Sequence, residues 1–277
     1  MISLKGNRKQ AEYKIALKED YVDGKQKGSL KKIINSKLNL EKDDGIFKTF
    51  NLKTSSNIEA QDIDLDSKLK LEFAHKLSLP FQNSEFTVRN SGELLNINNF
   101  NYIKNEWDKI KVDLLMNYEP VDYIKYILIQ TDLKLNDPDF IKHMLFSNDI
   151  YSVLFLPIYE KEPDNMEKFN MCFCNFIDEE SVIYKTRVRK YQKNLVNNEI
   201  FVEILGEIDS VYTNDYSIIK IAKERFPEAG NFELSGKVIG EFVFELDTGW
   251  LKRALFVKRA QIGDVYLNRV TYEVVMK

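Results

Sequence analysis

The fold turns on one stretch, Glu85-Phe86-Thr87-Val88-Arg89-Asn90-Ser91-Gly92-Glu93-Leu94-Leu95-Asn96-Ile97-Asn98-Asn99-Phe100-Asn101-Tyr102-Ile103-Lys104-Asn105-Glu106-Trp107. Its first half is strand-like. Phe86 and Val88 alternate with polar residues, Asn90-Ser91-Gly92 supplies a turn, and Leu94 to Ile97 follows as the returning arm of a hairpin. At Asn98-Asn99 the period changes. Ile103, Trp107, Ile110, Leu114 and Tyr118 recur at spacings of three and four with Lys, Glu and Asp between them, the pattern of an amphipathic helix.

Upstream of this switch the period is mostly two: Tyr13, Ile15 and Leu17, then Leu38 and Leu40, then Leu69, Leu71 and Phe73, then Leu77 and Leu79. With turn signals at Asp23-Gly24 and Asp43-Asp44-Gly45, this region predicts five or six strands, and it places His75 on one of them. Downstream, a second helix begins at Pro120 with Val121, Ile124, Ile127 and Leu128 on one face. A third begins at Asp137-Pro138, where Asp caps, Pro suits the first helical position, and Ile141, Met144 and Leu145 form the apolar face. Pro157 and Pro163 close the helical middle. Period two then returns in Phe169 to Ile177, Ser181 to Gln192 and Glu199 to Ile208. A short helix follows, capped by Asn214 or Asp215 and buried through Ile218, Ile219, Ala222 and Phe226, before Phe232 to Leu246, Trp250 to Ala260 and Val265 to Met276.

Strands and helices thus come in blocks, which argues for an α+β fold and against a doubly wound sheet or a TIM barrel. No Gly-, Pro- and Ser-rich stretch separates the two strand-rich regions. The expectation is a single domain over 1–277: strand-rich 1–98, helical 99–156, and strand-rich 167–277 with one short helix. The strands of both ends build one large curved antiparallel sheet, and the helical segment packs on one face.

Composition bounds the function. Of 277 residues 44% are hydrophobic, enough for a sizeable core, and 40 Lys+Arg against 43 Asp+Glu leave a net charge of -3 without long blocks of one sign. General nucleic-acid binding is disfavoured, and the basic clusters Lys31-Lys32 and Lys185 to Lys193 read as solvated strand faces. The chain shows neither a secretory apolar stretch at its start nor 18 uncharged apolar residues in a row, so a cytoplasmic location without a membrane span is expected. Its most apolar window, Ile150 to Tyr159, reads as core.

Motifs with chemistry are scarce. Cys172 and Cys174 sit two apart in a strand-like run, on the face opposite Met171 and Phe173; a disulfide between them is not expected in a strand, and reduced thiols are. With no second Cys pair and only His75 and His143, a zinc site would need distant ligands, so no metal and no cofactor is expected. Asp62, Asp64 and Asp66 resemble the start of a calcium loop, but Ser67 and Phe73 stand where it needs Gly and Glu. Glu179-Glu180 reads as a turn. Neither histidine belongs to a nucleophile elbow or protease signature, and no Gly-rich phosphate loop occurs, so no residue is assigned as catalytic.

The segment Gly236 to Leu251, two long strands joined by Asp247-Thr248-Gly249, resembles the strand-turn-strand repeat of β-rich bacterial envelope lipoproteins and half-barrel lipoprotein carriers. That resemblance covers roughly forty residues and implies an apolar-lined concave sheet with a carrier or binding role and no catalysis. The chain departs from the family in showing no signal stretch or lipobox cysteine. Three functions follow as expectations. The first is a non-enzymatic binding, adaptor or immunity component of a bacterial system that docks a protein partner. The second is a carrier holding an apolar small molecule between sheet and helices. The third is a hydrolase with an unrecognised carboxylate or histidine site. The residues singled out for binding are Trp107, Tyr118 and Trp250, as helix-to-sheet contacts, and Phe242 and Phe244, as the concave face.

Overall fold

A computed structural model describes residues 2–60, 72–73, 75–118, 122–147, 149–161, 168–178 and 180–277. The strands are β1 (Gln10–Asp23), β2 (Gln26–Asp43), β3 (Phe47–Ala60), β4 (Asn83–Arg89), β5 (Leu94–Ile97), β6 (Phe169–Ile177), β7 (Glu180–Asn194), β8 (Glu199–Ile208), β9 (Leu234–Glu245), β10 (Leu251–Ile262) and β11 (Tyr266–Met276). The helices are α1 (Phe100–Tyr118), α2 (Asp122–Lys134), α3 (Pro138–Ser147), α4 (Asp149–Leu154) and α5 (Asp215–Arg225).

The fold is α+β. Its eleven described strands form one antiparallel sheet in the order β5-β4-β3-β2-β1-β11-β10-β9-β8-β7-β6, so two meanders meet where the N-terminal strand pairs with the C-terminal one. Turn residues act as read: Gly24, Gly45, Gly92 and Gly249 all take positive φ between consecutive strands. Asn214 caps α5 by accepting from the Ser217 N–H at 3.3 Å, and Asp137 accepts from the Asp139 N–H at 2.9 Å ahead of α3. One expectation fails. Residues 72–73 and 75–78 are helical and lead into a 3-10 turn at Leu79–Gln82, so His75 is not on a strand. Phe73 and Leu77, four residues apart, are spaced for either period, and packing of the 3-10 turn against α1 decides the outcome. The Asp62 to Asp66 carboxylates and Glu179 lie outside the described residues.

Strand alternation sorts residues cleanly onto two faces. Across the register, Leu40, Phe50, Phe86 and Ile97 form one buried row over β2, β3, β4 and β5, and Ile34, Ile15, Val274, Ala254, Phe242 and Val202 another from β2 to β8. The inner face also carries small residues, Gly206, Gly240, Ala254 and Ala260, where strands curl tightly. Curling is visible in contacts between strands that are not neighbours. β6 and β10 are four places apart, about 19 Å in a flat sheet, yet Lys258 Nζ donates to the Cys172 carbonyl at 3.1 Å. Likewise the Tyr266 hydroxyl of β11 donates to the Phe176 carbonyl at 2.7 Å, and that of Tyr184 to the Arg259 carbonyl at 2.9 Å. Lys258 and Tyr266 thus occupy carbonyls of β6, an edge of the sheet among the described residues.

Gly240 shows how tight the curl is. A Cβ there would stand 2.4 Å from the Phe242 ring, which is fully buried and held against Phe244 and Phe256 at centroid distances of 6.3 and 6.0 Å. We expect Gly240→Ala to cost about 1–3 kcal/mol as overpacking, read as a lower urea midpoint at unchanged slope; an unchanged midpoint would show that the inner face has slack.

Candidate functional site: the seam between the sheet edges

The two edge strands, β5 and β6, do not pair with one another. They are brought together by the helical segment: α3 contacts both β5 and β6, α4 reaches β10, and the chain after α4 crosses the concave face as a strap. Every residue from Val153 to Leu156, together with Ile158 and Tyr159, is buried. The strap is held by rings. Tyr151 meets Phe86 at 4.9 Å, Phe155 meets Phe50 at 5.3 Å and Phe86 at 5.4 Å, and Tyr159 meets Phe244 of β9 at 5.7 Å. At its far end Ile2 bridges to Tyr159 in parallel, and the Glu160 N–H donates to the Ile2 carbonyl at 2.8 Å. The strap therefore links β3 and β4 on one side to β9 on the other.

Beneath it lies a cavity of about 40 Å³ with mostly apolar walls. Val88 and Leu94 contribute from one sheet edge, Met171 and Cys172 from the other, and Tyr151 and Phe155 from the plug between them. At 10–15 Å³ for each water, this space takes about three waters and no hydrocarbon chain.

The residues singled out from sequence fall in two places. Phe242 and Phe244 are fully buried on β9 and stacked on each other at 6.3 Å, so they belong to a filled interior and not to an open groove. Trp250 is 2% exposed, packs edge-on against Phe50 at 5.9 Å, and keeps its Nε1 without a hydrogen-bond acceptor. Trp107 is elsewhere. It is 1% exposed on α1, and its Nε1 donates to Asp132 Oδ1 of α2 at 3.1 Å, while Lys111 Nζ pairs with Asp132 Oδ2 at 2.9 Å. The hydrogen bond from Lys111 chiefly, with that from Trp107, holds the Asp132 carboxyl below its ordinary range against the opposing effect of burial. Tyr118 ends α1, and its side chain lies outside the described residues.

Two features of the seam stand out, and the first went unread in the sequence. Lys258 occupies an inward position of β10, flanked by Phe256 and Ala260, and is 2% exposed; its Nζ stands 4.9 Å over the Phe173 ring. The parity of β10 flags it, since a charge there interrupts an otherwise apolar face. The second is the contact between Cys172 and Cys174, whose Sγ atoms are 3.0 Å apart.

The remaining candidates are structural in surroundings or unplaced. His75 Nδ1 is buried with no hydrogen-bond partner, and the side chain of His143 lies outside the described residues. Glu180 accepts from the Ser217 hydroxyl at 2.6 Å and so ties β7 to α5. Lys185 and Arg187 stand outward on β7 and, with Lys168, Glu207 and Asp209, edge a polar groove of about 220 Å³. Arg189 pairs with Glu203 at 3.4 Å. Among the described residues no three His, Cys, Asp or Glu side chains converge as metal ligands would, and no helix is long and apolar enough to cross a membrane.

Removing Trp107 tests its place as core. Truncation to Ala is expected to cost about 3–5 kcal/mol, measured by chemical unfolding; a near-neutral change would mean that the indole serves a surface role and not the joint between α1 and α2.

No protein-family model matches the chain, and no curated protein sequence does. Among solved structures, one of lipid-protein interactions in lipovitellin is similar over 99% of this chain, with a TM-score of 0.43 and 8% sequence identity. The chain spans 25% of the lipovitellin chain, and at this level of similarity nothing is carried over from that protein.

Proposed function

We propose that the chain is a binding protein whose ligand is an apolar chain, taken up at the seam between β5 and β6 when the plug of α4 and the strap moves aside. The observation that carries this reading is the cavity beneath Phe155: the sheet edges meet there through helix and strap alone, over walls of Val88, Leu94 and Met171. A closed sheet would have no such entrance. Behind Phe155 stand Phe50 and Trp250, so a chain displacing the plug meets a further aromatic layer and a buried indole N–H with no acceptor of its own.

A second reading, docking of a protein partner, is favoured by a different surface. Lys104 bonds Asn136 at 2.6 Å and Lys111 pairs with Asp132, so α1 and α2 run antiparallel with these residues facing each other. One residue further along each helix turns by about 100°, and in antiparallel helices both turns lead to the same side. Val112 and Leu133 accordingly share an outward face with Met116, Ile129 and Tyr126, all more than half exposed.

The two readings separate by variant. A fluorescent long-chain fatty acid should bind the wild-type chain saturably, and Phe155→Ala should tighten binding about tenfold, since the vacated space admits roughly two more methylenes at about 0.8 kcal/mol each. Absence of saturable binding by both proteins, each shown to be folded by circular dichroism, would end the carrier reading. Ile129→Glu should leave fatty-acid binding unchanged and abolish co-purification of any stoichiometric partner; a partner retained by this variant would end the docking reading.

A further inference from the structure

The thiol pair of β6 has no part in ligand uptake as proposed, and its geometry points elsewhere. Cys172 and Cys174 are both half-buried on one face of the strand, with Sγ atoms 3.0 Å apart. A disulfide needs about 2.05 Å between sulfurs and Cα atoms no more than 6.8 Å apart. Two residues of extended chain span about 6.4–6.8 Å, so the Cα separation lies at the long end of the range, and closure requires the strand to bend until the Cβ atoms come within about 4.5 Å. Here the strand also has room to adjust. The register of β6 against β7 shifts between Phe173 and Ile177, so Cys174 sits at an irregularity of the strand.

Cys172 is held above the usual thiol range first by the hydrogen bond it shares with Cys174 and then by burial; the Lys258 charge and the Ser181 hydroxyl oppose this without reversing it.

We infer that Cys172 and Cys174 are a modification site, closing to an intramolecular disulfide by exchange with a small disulfide. In the first step one of the two sulfurs, as thiolate, attacks one sulfur of the small disulfide, whose S–S bond breaks and releases one thiolate with the bonding pair. In the second, the other protein thiol gives its proton to that thiolate and attacks the sulfur already bonded, expelling the other half as a second thiolate, which takes a proton from water. Two protein thiols are oxidised and one small disulfide is reduced to two thiols. Met171 and Cys172 line the seam cavity, so the bridge forms on one lip of the entrance.

The test uses the full chain with oxidised glutathione at neutral pH, followed by intact mass and thiol titration. The expected product has lost two hydrogen atoms and both titratable thiols, and reducing agent restores them. Cys172→Ser should instead accumulate the glutathione adduct on Cys174, because the resolving thiol is gone. A stable adduct on the wild-type chain, a chain-to-chain dimer, or full retention of both thiols would each overturn the inference. The outcome is independent of whether fatty acid binds, so the two proposals fail separately.

Discussion

An open sheet of eleven antiparallel strands has one apolar face and two edges, and everything else in this molecule follows from the need to cover both. Curling serves the face. By rolling until β6 lies within hydrogen-bond reach of β10 and β11, the sheet buries most of its own inner side chains, at about 25 cal/mol for each Å² removed from water. The small residues Gly206, Gly240, Ala254 and Ala260 make the curl possible, because larger side chains on the inside of a tight bend would collide. The edges are served by different means. Lys258 and Tyr266 occupy carbonyls of β6, while α3 lies against β5 and β6 together.

This division explains why the helical block sits where it does in the chain. β5 and β6 are consecutive strands in sequence and the two extremes of the sheet in space, so the connection between them has to travel across the open side. Such a connection is already placed to act as a plug. Its apolar residues need no period of their own, since the run from Val153 to Tyr159 is surrounded by sheet on several sides and not by one face of a partner.

That point also marks the limit of what the sequence made legible. The turns at Gly24, Gly45, Gly92 and Gly249, the bounds of β8, and the caps of α3 and α5 were readable because each is a local event, fixed by φ or by a side chain two or three residues away. The Ile150 to Tyr159 window was readable as core but not as a strap, for periodicity reports a flat partner and this segment has a curved one. His75 was misplaced because Phe73 and Leu77, four residues apart, fit either period. The meeting of β5 with β6, the reach of Lys258 to Cys172 and the cavity under Phe155 depend on the degree of curl, a property of the whole sheet that no single stretch records. Phe242 and Phe244 alternate inward along β9 as their parity requires, yet only the position of Tyr159 shows that Phe244 is covered by the strap.

The filled interior constrains how the seam can work. Tyr151, Phe155 and Tyr159 each gain about 1.5–3 kcal/mol from burial, so exposing all three to water would cost roughly 5–9 kcal/mol, comparable to the whole stability of many domains. Spontaneous opening to an empty groove is therefore rare. Exchange is different. An entering hydrocarbon recovers about 0.8 kcal/mol for each methylene buried, so roughly six to eleven methylenes offset the loss of all three rings. The same arithmetic disfavours small apolar ligands, which are too short to compensate, and favours a chain long enough to follow the strap's own path from Phe86 across to Phe244. Selectivity by length would then arise from the plug itself, without any polar group having to recognise the end of the chain.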